Sequence, residues 1–252
     1  MEVRQLLTLL LAVLTLSSAL RPRHRPTRGK GEVQGNDDST PPGLAAPLRG
    51  AWTKTLSRMF LYSFCLGPLL DNYHGLFDVL NYREGVPIVV QLQGHTVLKT
   101  ALWVPPLFGC AGVTMSVIVL LLDRRLRSPS VSLDPSWSKV FSGIGFFSAQ
   151  YYLSGLLDHL TVEGIYIHAV LAATALAGWA IYDSTSAGLL LGLATAIAGP
   201  AAEVLLTSLG LYSYTHADLL RVCSWIPWVY FLGAPAVGNL ARRTFLDASR
   251  ES

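Results

Sequence analysis

The chain has 252 residues, of which 51% are hydrophobic and only 14% are charged. A typical soluble domain carries about 25% charged residues, so this composition indicates a membrane protein. The net charge of +3 comes from basic residues in the flanks and loops, which argues against a nucleic-acid-binding face. The cysteines Cys65, Cys110 and Cys223 lie far apart in apolar surroundings, and they predict neither a disulfide framework nor a zinc site.

The first fifty residues differ from the rest of the chain. An apolar run from Leu6 to Leu16 is followed by Ser17-Ser18-Ala19, which resembles a cleavage site. This run is too short to cross a bilayer, which takes about 20 residues, so residues 1–20 are interpreted as a targeting segment. Residues 21–50 are polar and rich in Arg, Pro, Gly and Asp, and they are predicted to form a disordered linker.

Six candidate membrane spans follow and define a domain over residues 51–243, with a C-terminal tail over residues 244–252. The sequence therefore predicts an all-α fold, a six-helix transmembrane bundle. Gly, Ala, Ser and Thr recur in the third to fifth spans, which favours close packing of the helices. The predicted spans are Arg58–Leu76, Leu98–Leu122, Val140–Leu157, Gly164–Tyr182, Ala187–Leu211 and Val222–Leu240.

The basic residues predict how the bundle is oriented. With six crossings, the basic residues before the first span, after the second and after the sixth all fall on one side of the membrane, and only Arg83, Lys99 and Arg221 fall on the other. The positive-inside rule then places both termini in the cytoplasm. A cleaved signal in residues 1–20 would instead deliver the mature N-terminus to the lumen. The arginines after residue 20 are also compatible with delivery to a plastid membrane.

A polar motif and a single histidine lie in or beside the third and fourth spans. Asp158-His159-x-x-x-Glu163 has metal-capable side chains at helical spacing, but its place at the end of a span favours a solvated turn. His168 is either a ligand or a structural histidine packed among apolar helices. No metal site, cofactor or catalytic motif is predicted from the chain.

Asp183 is the residue on which the functional hypothesis is built. It lies between the fourth and fifth spans, and no Lys or Arg occurs between Lys139 and Arg221. An acid at a membrane boundary needs water, a backbone donor or a partner. In the structural alternative, Asp183 solvates the end of the fourth span and Ser186 caps the fifth. A carboxylate at the C-terminus of a helix opposes the helix dipole, however, which favours a functional role.

Glu203 lies inside the fifth span and has two interpretations. It is either a proton- or ligand-binding carboxyl, or a protonated acid bonded to a neighbouring helix or to carbonyls freed by Pro200. Glu203 and His168 together define an alternative function, a proton relay in a small membrane transporter or lipid-modifying enzyme.

Several segments of the domain resemble the Insig (insulin-induced gene) family, in the family's order, over about Ala51 to Arg243. These segments are Leu102-Trp103-Val104-Pro105-Pro106, Trp179-Ala180-Ile181-Tyr182-Asp183-Ser184, Gly210-Leu211-Tyr212-Ser213-Tyr214-Thr215, Ser224-Trp225-Ile226-Pro227-Trp228-Val229-Tyr230-Phe231-Leu232-Gly233 and Val237-Gly238-Asn239-Leu240-Ala241-Arg242. The resemblance implies a membrane protein of the endoplasmic reticulum that binds oxysterols within the bundle and acts as an adaptor, not as an enzyme. It implies as partners sterol-sensing-domain proteins that control sterol biosynthesis, namely HMG-CoA reductase and the escort protein of the sterol-regulated transcription factor.

The resemblance also implies roles for individual residues. The family's aspartate for escort-protein binding corresponds to Asp183, and the arginine that follows it in the family is Ser184 here. The fifth-span glutamine of the family is replaced by Glu203. The implied sterol-binding residues are Phe147, Trp179 and Tyr166, the last of which replaces a family glutamine. The expected pocket is apolar and walled by the third to fifth spans. These departures predict a distant member and leave its ligand and partner open, including a plastid protein with a diverged function.

Overall fold

The computed structural model describes residues 45–83, 87–127 and 133–251. The chain divides into two units, Met1–Arg49 and Gly50–Ser252, and the second unit contains the helical bundle. The predicted targeting segment, residues 1–20, lies outside the described residues, as does residues 21–44 of the predicted linker. The first helix begins at Ala45, so residues 45–50 of that linker are helical.

Six α-helices form the bundle, and short strands lie in the connections between them. The helices are α1 (Ala45–Leu76), α2 (Val104–Leu126), α3 (Trp137–His159), α4 (Gly164–Tyr182), α5 (Ser186–Ser208) and α6 (Ile226–Arg250). The strands are β1 (Leu80–Tyr82), β2 (Pro87–Leu92), β3 (His95–Ala101) and β4 (Tyr212–Tyr214). The predicted all-α, six-helix membrane bundle is confirmed, and the two small two-stranded sheets are an addition to it.

Three of the helices, α2, α4 and α5, are long and apolar enough to cross a membrane. The fourth predicted span has the bounds of α4. The second was predicted to begin too early, at Leu98, because a short apolar segment fits a strand as well as a helix and this one belongs to β3. The sixth was predicted to end too early, at Leu240. Helix α6 continues to Arg250, so most of the predicted tail is helical.

Local sequence signals explain where the helices begin. Helix α2 starts with Val104-Pro105-Pro106, and proline suits the first turn because an N–H at that point has no acceptor within the helix. Thr185, and not the predicted Ser186, caps α5, since its side-chain oxygen accepts a hydrogen bond from the Gly188 backbone N–H at 2.9 Å. The Gln93-Gly94 turn has positive φ at both residues, as the tight β2–β3 hairpin requires.

Helix α6 is central to the bundle, because it packs against α2, α3, α4 and α5. The main apolar core includes Met59, Val119, Val140, Leu191 and Leu240, which come from five different helices. At one end of the bundle, β1 and β4 pair antiparallel. This pairing joins the chain after α1 to the chain after α5, and it places Tyr82 opposite Tyr212.

Candidate functional site

Asp183 is buried and paired with a cation. It is 4% exposed, and its Oδ2 lies 2.8 Å from Nη1 of Arg242, which is 2% exposed. The same guanidinium contacts Asp123 through two bonds, Nε to Oδ2 at 2.7 Å and Nη2 to Oδ1 at 3.1 Å. Asp123, Asp183 and Arg242 are called the ion cluster below. In the sequence, Arg242 is only one of the basic residues after the sixth predicted span, and no local feature distinguishes Asp123.

The turn between α4 and α5 is built around the carboxylate of Asp183. Its Oδ1 accepts hydrogen bonds from the backbone N–H of Thr185, at 3.0 Å, and from the Thr185 hydroxyl. The Trp179 indole N–H donates to the Thr185 carbonyl at 3.3 Å. A Cβ atom at Gly188 would overlap the Asp183 carboxylate. The carboxylate therefore fits against the first turn of α5 only because residue 188 is a glycine.

A second contact ties this turn to α6. The Asn239 side-chain amide donates to the Tyr182 carbonyl at 2.7 Å, and its oxygen accepts from Arg242 at 3.1 Å. Gly238 and Asn239 of the family-like segment therefore lie beside the ion cluster. The geometry gives Asp183 a structural role, which is to fix the α4–α5 turn on α6.

Two other carboxyls lie at the opposite end of the bundle, each bound by tyrosine hydroxyls. Glu203 accepts hydrogen bonds from Tyr212 at 2.9 Å, from Tyr230 at 2.5 Å and from Tyr214. Seventeen helical residues separate Ser186 from Glu203, which is a distance of roughly 25 Å along α5 at 1.5 Å per residue.

Asp71 is the second of these carboxyls. It accepts from the hydroxyls of Tyr82 and, at 3.4 Å, of Tyr151. Burial, followed by the nearby Asp71 carboxylate, raises the pKa of Tyr82. Burial and then Glu203 likewise raise the pKa of Tyr212. Both phenols therefore remain protonated donors. Glu203, Asp71 and their five tyrosines are called the tyrosine cluster.

Two of the cavities in the described part of the chain lie between helices of the bundle. The first, called the four-helix cavity, has a volume of about 320 Å³ and is walled by α1, α2, α3 and α6, with Phe147 in its wall. The second, called the carboxylate cavity, has a volume of about 310 Å³ and is walled mainly by α2 and α5. Asp71 and Glu203 line the carboxylate cavity, and the rest of its wall is largely apolar.

The structure separates the three predicted sterol-binding residues. Phe147 lines the four-helix cavity, Trp179 is half-buried beside the α4–α5 turn, and Tyr166 is 52% exposed. Trp179 and Tyr166 lie thirteen residues apart on α4, about 220° around a helix that turns 100° per residue, so they lie on different faces. Neither of these two cavities is walled by the third to fifth spans together, so the expected pocket stays a prediction.

His168 and Glu203 belong to different networks. His168 Nδ1 accepts from the Trp228 indole N–H at 3.2 Å, and its Nε2 lies 3.0 Å from the Ser224 hydroxyl. None of these groups is a hydrogen-bond partner of Glu203. The structure therefore does not bring together the two residues of the predicted relay.

Asp158 lies at the end of α3 and is only 5% exposed, so the expected solvated turn is wrong for this residue. Its carboxylate accepts from the Trp225 indole N–H at 3.2 Å and lies 2.9 Å from His216 Nδ1. The neighbouring His159 Nδ1 lies 2.9 Å from the Phe77 carbonyl oxygen. Both side chains are therefore occupied by contacts within the chain.

Proteins of one family are similar to this chain in sequence and in fold. The chain is 27% identical over 202 residues to the human insulin-induced gene 1 protein, covering 80% of this chain and 71% of that protein. It is 28% identical over 204 residues to the zebrafish (Danio rerio) protein of the same name, covering 81% and 79%. No family profile matches the chain.

A solved structure has the same fold. The crystal structure of a mycobacterial Insig homologue from Mycobacterium vanbaalenii matches with a TM-score of 0.64 and 20% identity, covering 79% of this chain and 96% of that one. A cross-linked trimer of that protein matches with a TM-score of 0.63. The chain is therefore similar to Insig proteins in sequence and in fold over most of its length. These matches support a multi-pass membrane protein, and the Insig family to which the matching proteins belong is generally non-enzymatic.

Proposed function

We propose that this Insig-like protein is a sterol-responsive adaptor of the endoplasmic reticulum membrane. It binds an oxysterol-like lipid and retains or regulates sterol-sensing-domain proteins, and so controls sterol biosynthesis. The observation that carries the proposal is the four-helix cavity with Phe147 in its wall. By family resemblance, its partners are HMG-CoA reductase and the escort protein of the sterol-regulated transcription factor.

The four-helix cavity suits a flat apolar ligand. Its volume of about 320 Å³ lies within the range of small-molecule sites, about 300–1,000 Å³. Phe147 and Ile144 supply apolar surface from α3, and Gly233 on α6 faces the Phe147 ring, which lies 3.3 Å from where a Cβ would be. Hydroxyls of Ser148 and Tyr151 also line the cavity and offer hydrogen bonds to a hydroxylated sterol. Trp179 and Tyr166 are proposed to contact sterol only at the outer faces of α4.

The sterol site is tested with a photoreactive sterol probe in isolated membranes, in competition with hydroxylated and plain sterols. We expect Phe147→Ala to lower labelling about tenfold, which corresponds to about 1.4 kcal/mol of lost binding energy. Phe141→Ala is the matched control, since Phe141 lies on the same helix with 64% of its surface exposed. Equal labelling of both variants, or labelled peptides confined to α4, would remove the proposed site from the four-helix cavity.

Asp183 is proposed to act on partner binding from inside the protein. Because it is buried, it is a positioning residue for the α4–α5 turn, where Ser184 is exposed and available to a partner. Ligand in the bundle would favour one packing of α6, and the ion cluster would transmit that packing to the turn.

Co-purification with a sterol-sensing-domain membrane protein tests the role of Asp183. We expect Asp183→Asn to reduce the recovered partner several-fold, whereas Asp134→Asn, at an exposed carboxylate, leaves recovery unchanged. Equal recovery with both variants would contradict the role of Asp183. Thermal unfolding of the purified variants shows whether any loss of partner follows a loss of fold.

The proposed location and orientation have their own test. Fluorescent fusions at either end of the chain should mark the endoplasmic reticulum, and both ends should be accessible to protease from the cytoplasmic side. Plastid fluorescence would support the alternative of a plastid membrane protein with a diverged function. Protection of the N-terminal fusion would reverse the predicted orientation.

A further inference from the structure

The carboxylate cavity has an unusual distribution of charge. Asp71 and Glu203 line it from different helices. Neither forms an ion pair with a Lys, Arg or His side chain in the described ranges of the chain. Their hydrogen-bond partners are the neutral hydroxyls of tyrosines, and every one of those hydroxyls donates. Asp71 and Glu203 are therefore arranged as hydrogen-bond acceptors in largely apolar surroundings, and a cation is the kind of group that this cavity is suited to bind.

The same cavity contains an unused hydrogen-bond donor. Trp103 lines the cavity and stacks on Tyr212, with ring centroids 6.0 Å apart. Its indole Nε1 is buried and has no hydrogen-bond partner among the residues that the structure describes. A buried donor of this kind is usually satisfied, so an absent acceptor is expected at this point. A ligand that fits both features carries an ammonium group and an oxygen acceptor close together.

The cavity opens sideways, towards the position of the lipid. Its lining includes residues with exposed surface on two membrane-spanning helices, namely Ala111, Thr114 and Ile118 on α2 and Ala194, Ala198 and Ala202 on α5. On α2 the lining extends from Val104 to Ile118, which is roughly 20 Å at 1.5 Å per residue. This length exceeds one leaflet of hydrocarbon, which is half of about 30 Å. An aliphatic chain is the ligand shape that fits such a cleft.

We propose that the carboxylate cavity binds a long-chain amino alcohol, a lipid of the sphingoid-base class, taken laterally from the bilayer. The ammonium group donates to Asp71 and Glu203, a head-group hydroxyl accepts from Trp103 Nε1, and the chain lies between α2 and α5. This site borders the sterol cavity and shares wall residues with it, namely Phe108, Ala111, Met115 and Tyr230, but Asp71 and Glu203 line only the carboxylate cavity. The proposal does not rest on the proposed adaptor function. The tyrosine hydroxyls hold the two carboxyl groups in place, and the ammonium group forms charge-assisted hydrogen bonds with them.

The proposal is tested by displacement of tritiated sphinganine from the purified full-length protein in detergent micelles. The competitors are sphinganine, octadecylamine, octadecanol and stearate, which share a long chain and differ in the head group. We expect sphinganine to bind best, octadecylamine next, and octadecanol and stearate at least tenfold more weakly than the amine. Octadecanol or stearate binding as tightly as octadecylamine would overturn the proposal. Butylamine, a short-chain amine used as a fifth competitor, would also overturn it by binding as tightly as octadecylamine, because the chain would then contribute nothing.

Variants separate the two parts of the head-group site. Glu203→Gln should weaken sphinganine and octadecylamine about tenfold, because it removes a charge-assisted bond, and should leave octadecanol unchanged. Trp103→Phe should weaken sphinganine several-fold and leave octadecylamine unchanged. Glu163→Gln, at the exposed acid immediately before α4, is the matched control and should change none of these affinities.

A further variant keeps both carboxylates and narrows the opening of the cavity. Ala198→Leu should weaken every long-chain competitor, and because Ala198 is exposed the bundle should still fold. Unchanged sphinganine affinity in both Glu203→Gln and Ala198→Leu would place the ligand elsewhere and overturn the assignment. Sterol labelling should persist in Glu203→Gln, so failure of this site and failure of the sterol site give different results.

Discussion

The two ends of α5 show how differently a membrane bundle can accommodate a buried acid. At the start of the helix, Asp183 and Asp123 share the guanidinium of Arg242, and none of these three residues lines the four-helix cavity or the carboxylate cavity. At the other end, Glu203 and Asp71 receive only tyrosine hydroxyls and border a cavity of about 310 Å³. An acid that is paired with a cation is therefore part of the scaffold. An acid that has no cationic partner and that lines a cavity is a candidate ligand site.

The largest expected effect tests the scaffold role of the ion cluster. Arg242→Met leaves Asp123 and Asp183 buried without a cation, and breaking a buried pair in this way costs about 3–5 kcal/mol. We expect a loss of that size in the free energy of unfolding, measured by denaturant titration in detergent micelles. Adding Asp123→Asn and Asp183→Asn should recover part of the loss, since no buried charge then remains unpaired. A loss no larger than that of Arg250→Met, at a 61% exposed side chain, would show that the cluster is not structural.

The next effect sharpens the role of the α4–α5 turn. Gly188→Ala introduces a Cβ that overlaps the Asp183 carboxylate, and forcing an atom into a packed site costs about 1–3 kcal/mol. The variant should unfold at lower temperature than the parent. Gly145→Ala is the matched control, because a Cβ at that helical glycine meets no atom within 4 Å. It should be neutral or stabilising, as alanine favours helix by about 1 kcal/mol over glycine. Equal melting temperatures would show that Asp183 does not depend on this packing.

A smaller effect is expected at the tyrosine cluster. Tyr230→Phe removes one of the three donors to Glu203 and leaves the other two, so we expect a loss of about 1 kcal/mol in the free energy of unfolding. The same titration in micelles measures it. If Tyr230→Phe destabilised the protein as much as Arg242→Met, the two ends of α5 would be equally structural, and the contrast between them would fail.

The smallest effect concerns an exposed pair that serves as a reference for both clusters. The hydrogen bond from Arg58 holds the pKa of the Glu251 carboxyl below its usual value of 4.5. A lowered pKa stabilises the fold above the usual value, and that stabilisation is lost as the pH falls through the lowered pKa. We expect Glu251→Gln to melt slightly below the parent at neutral pH and low salt, and the difference to shrink as the pH falls below 4.5 and to vanish once it has passed the lowered pKa. A difference that grew on acidification would contradict this sign.

Much of the fold could be predicted from the sequence, because hydropathy and charge are local properties. The bounds of α4 follow from the apolar run between Gly164 and Tyr182. The start of α2 could not be predicted in the same way, because the apolar residues before it form β3, and hydropathy does not distinguish a short strand from a helix. The end of α6 was missed because Arg242 is charged, and only its burial between helices shows that it belongs inside the bundle.

The residues that contact each buried acid could not be predicted from the neighbouring sequence, because they lie far away along the chain. Asp183 was identified as an acid that needs a partner, and the partner is 59 residues away on α6. Asp123 lies 119 residues from Arg242, and its contact depends on the packing of α2 against α6. Asp71 and Glu203 line the same cavity because β1 pairs with β4. The residue patterns of these two short strands do not predict that pairing.

The sequence by itself determined a six-helix membrane bundle and its resemblance to Insig proteins, since long apolar runs and short motifs can be read along the chain. Only the tertiary structure decided what its acids do. Near Asp183, α6 supplies a cation. Near Glu203, β4 and α6 supply hydroxyls, and α2 and α5 form most of the wall of a cavity. The reason is physical: the free energy of a buried carboxylate depends on which charges and dipoles surround it in space, and those neighbours come from distant parts of the chain.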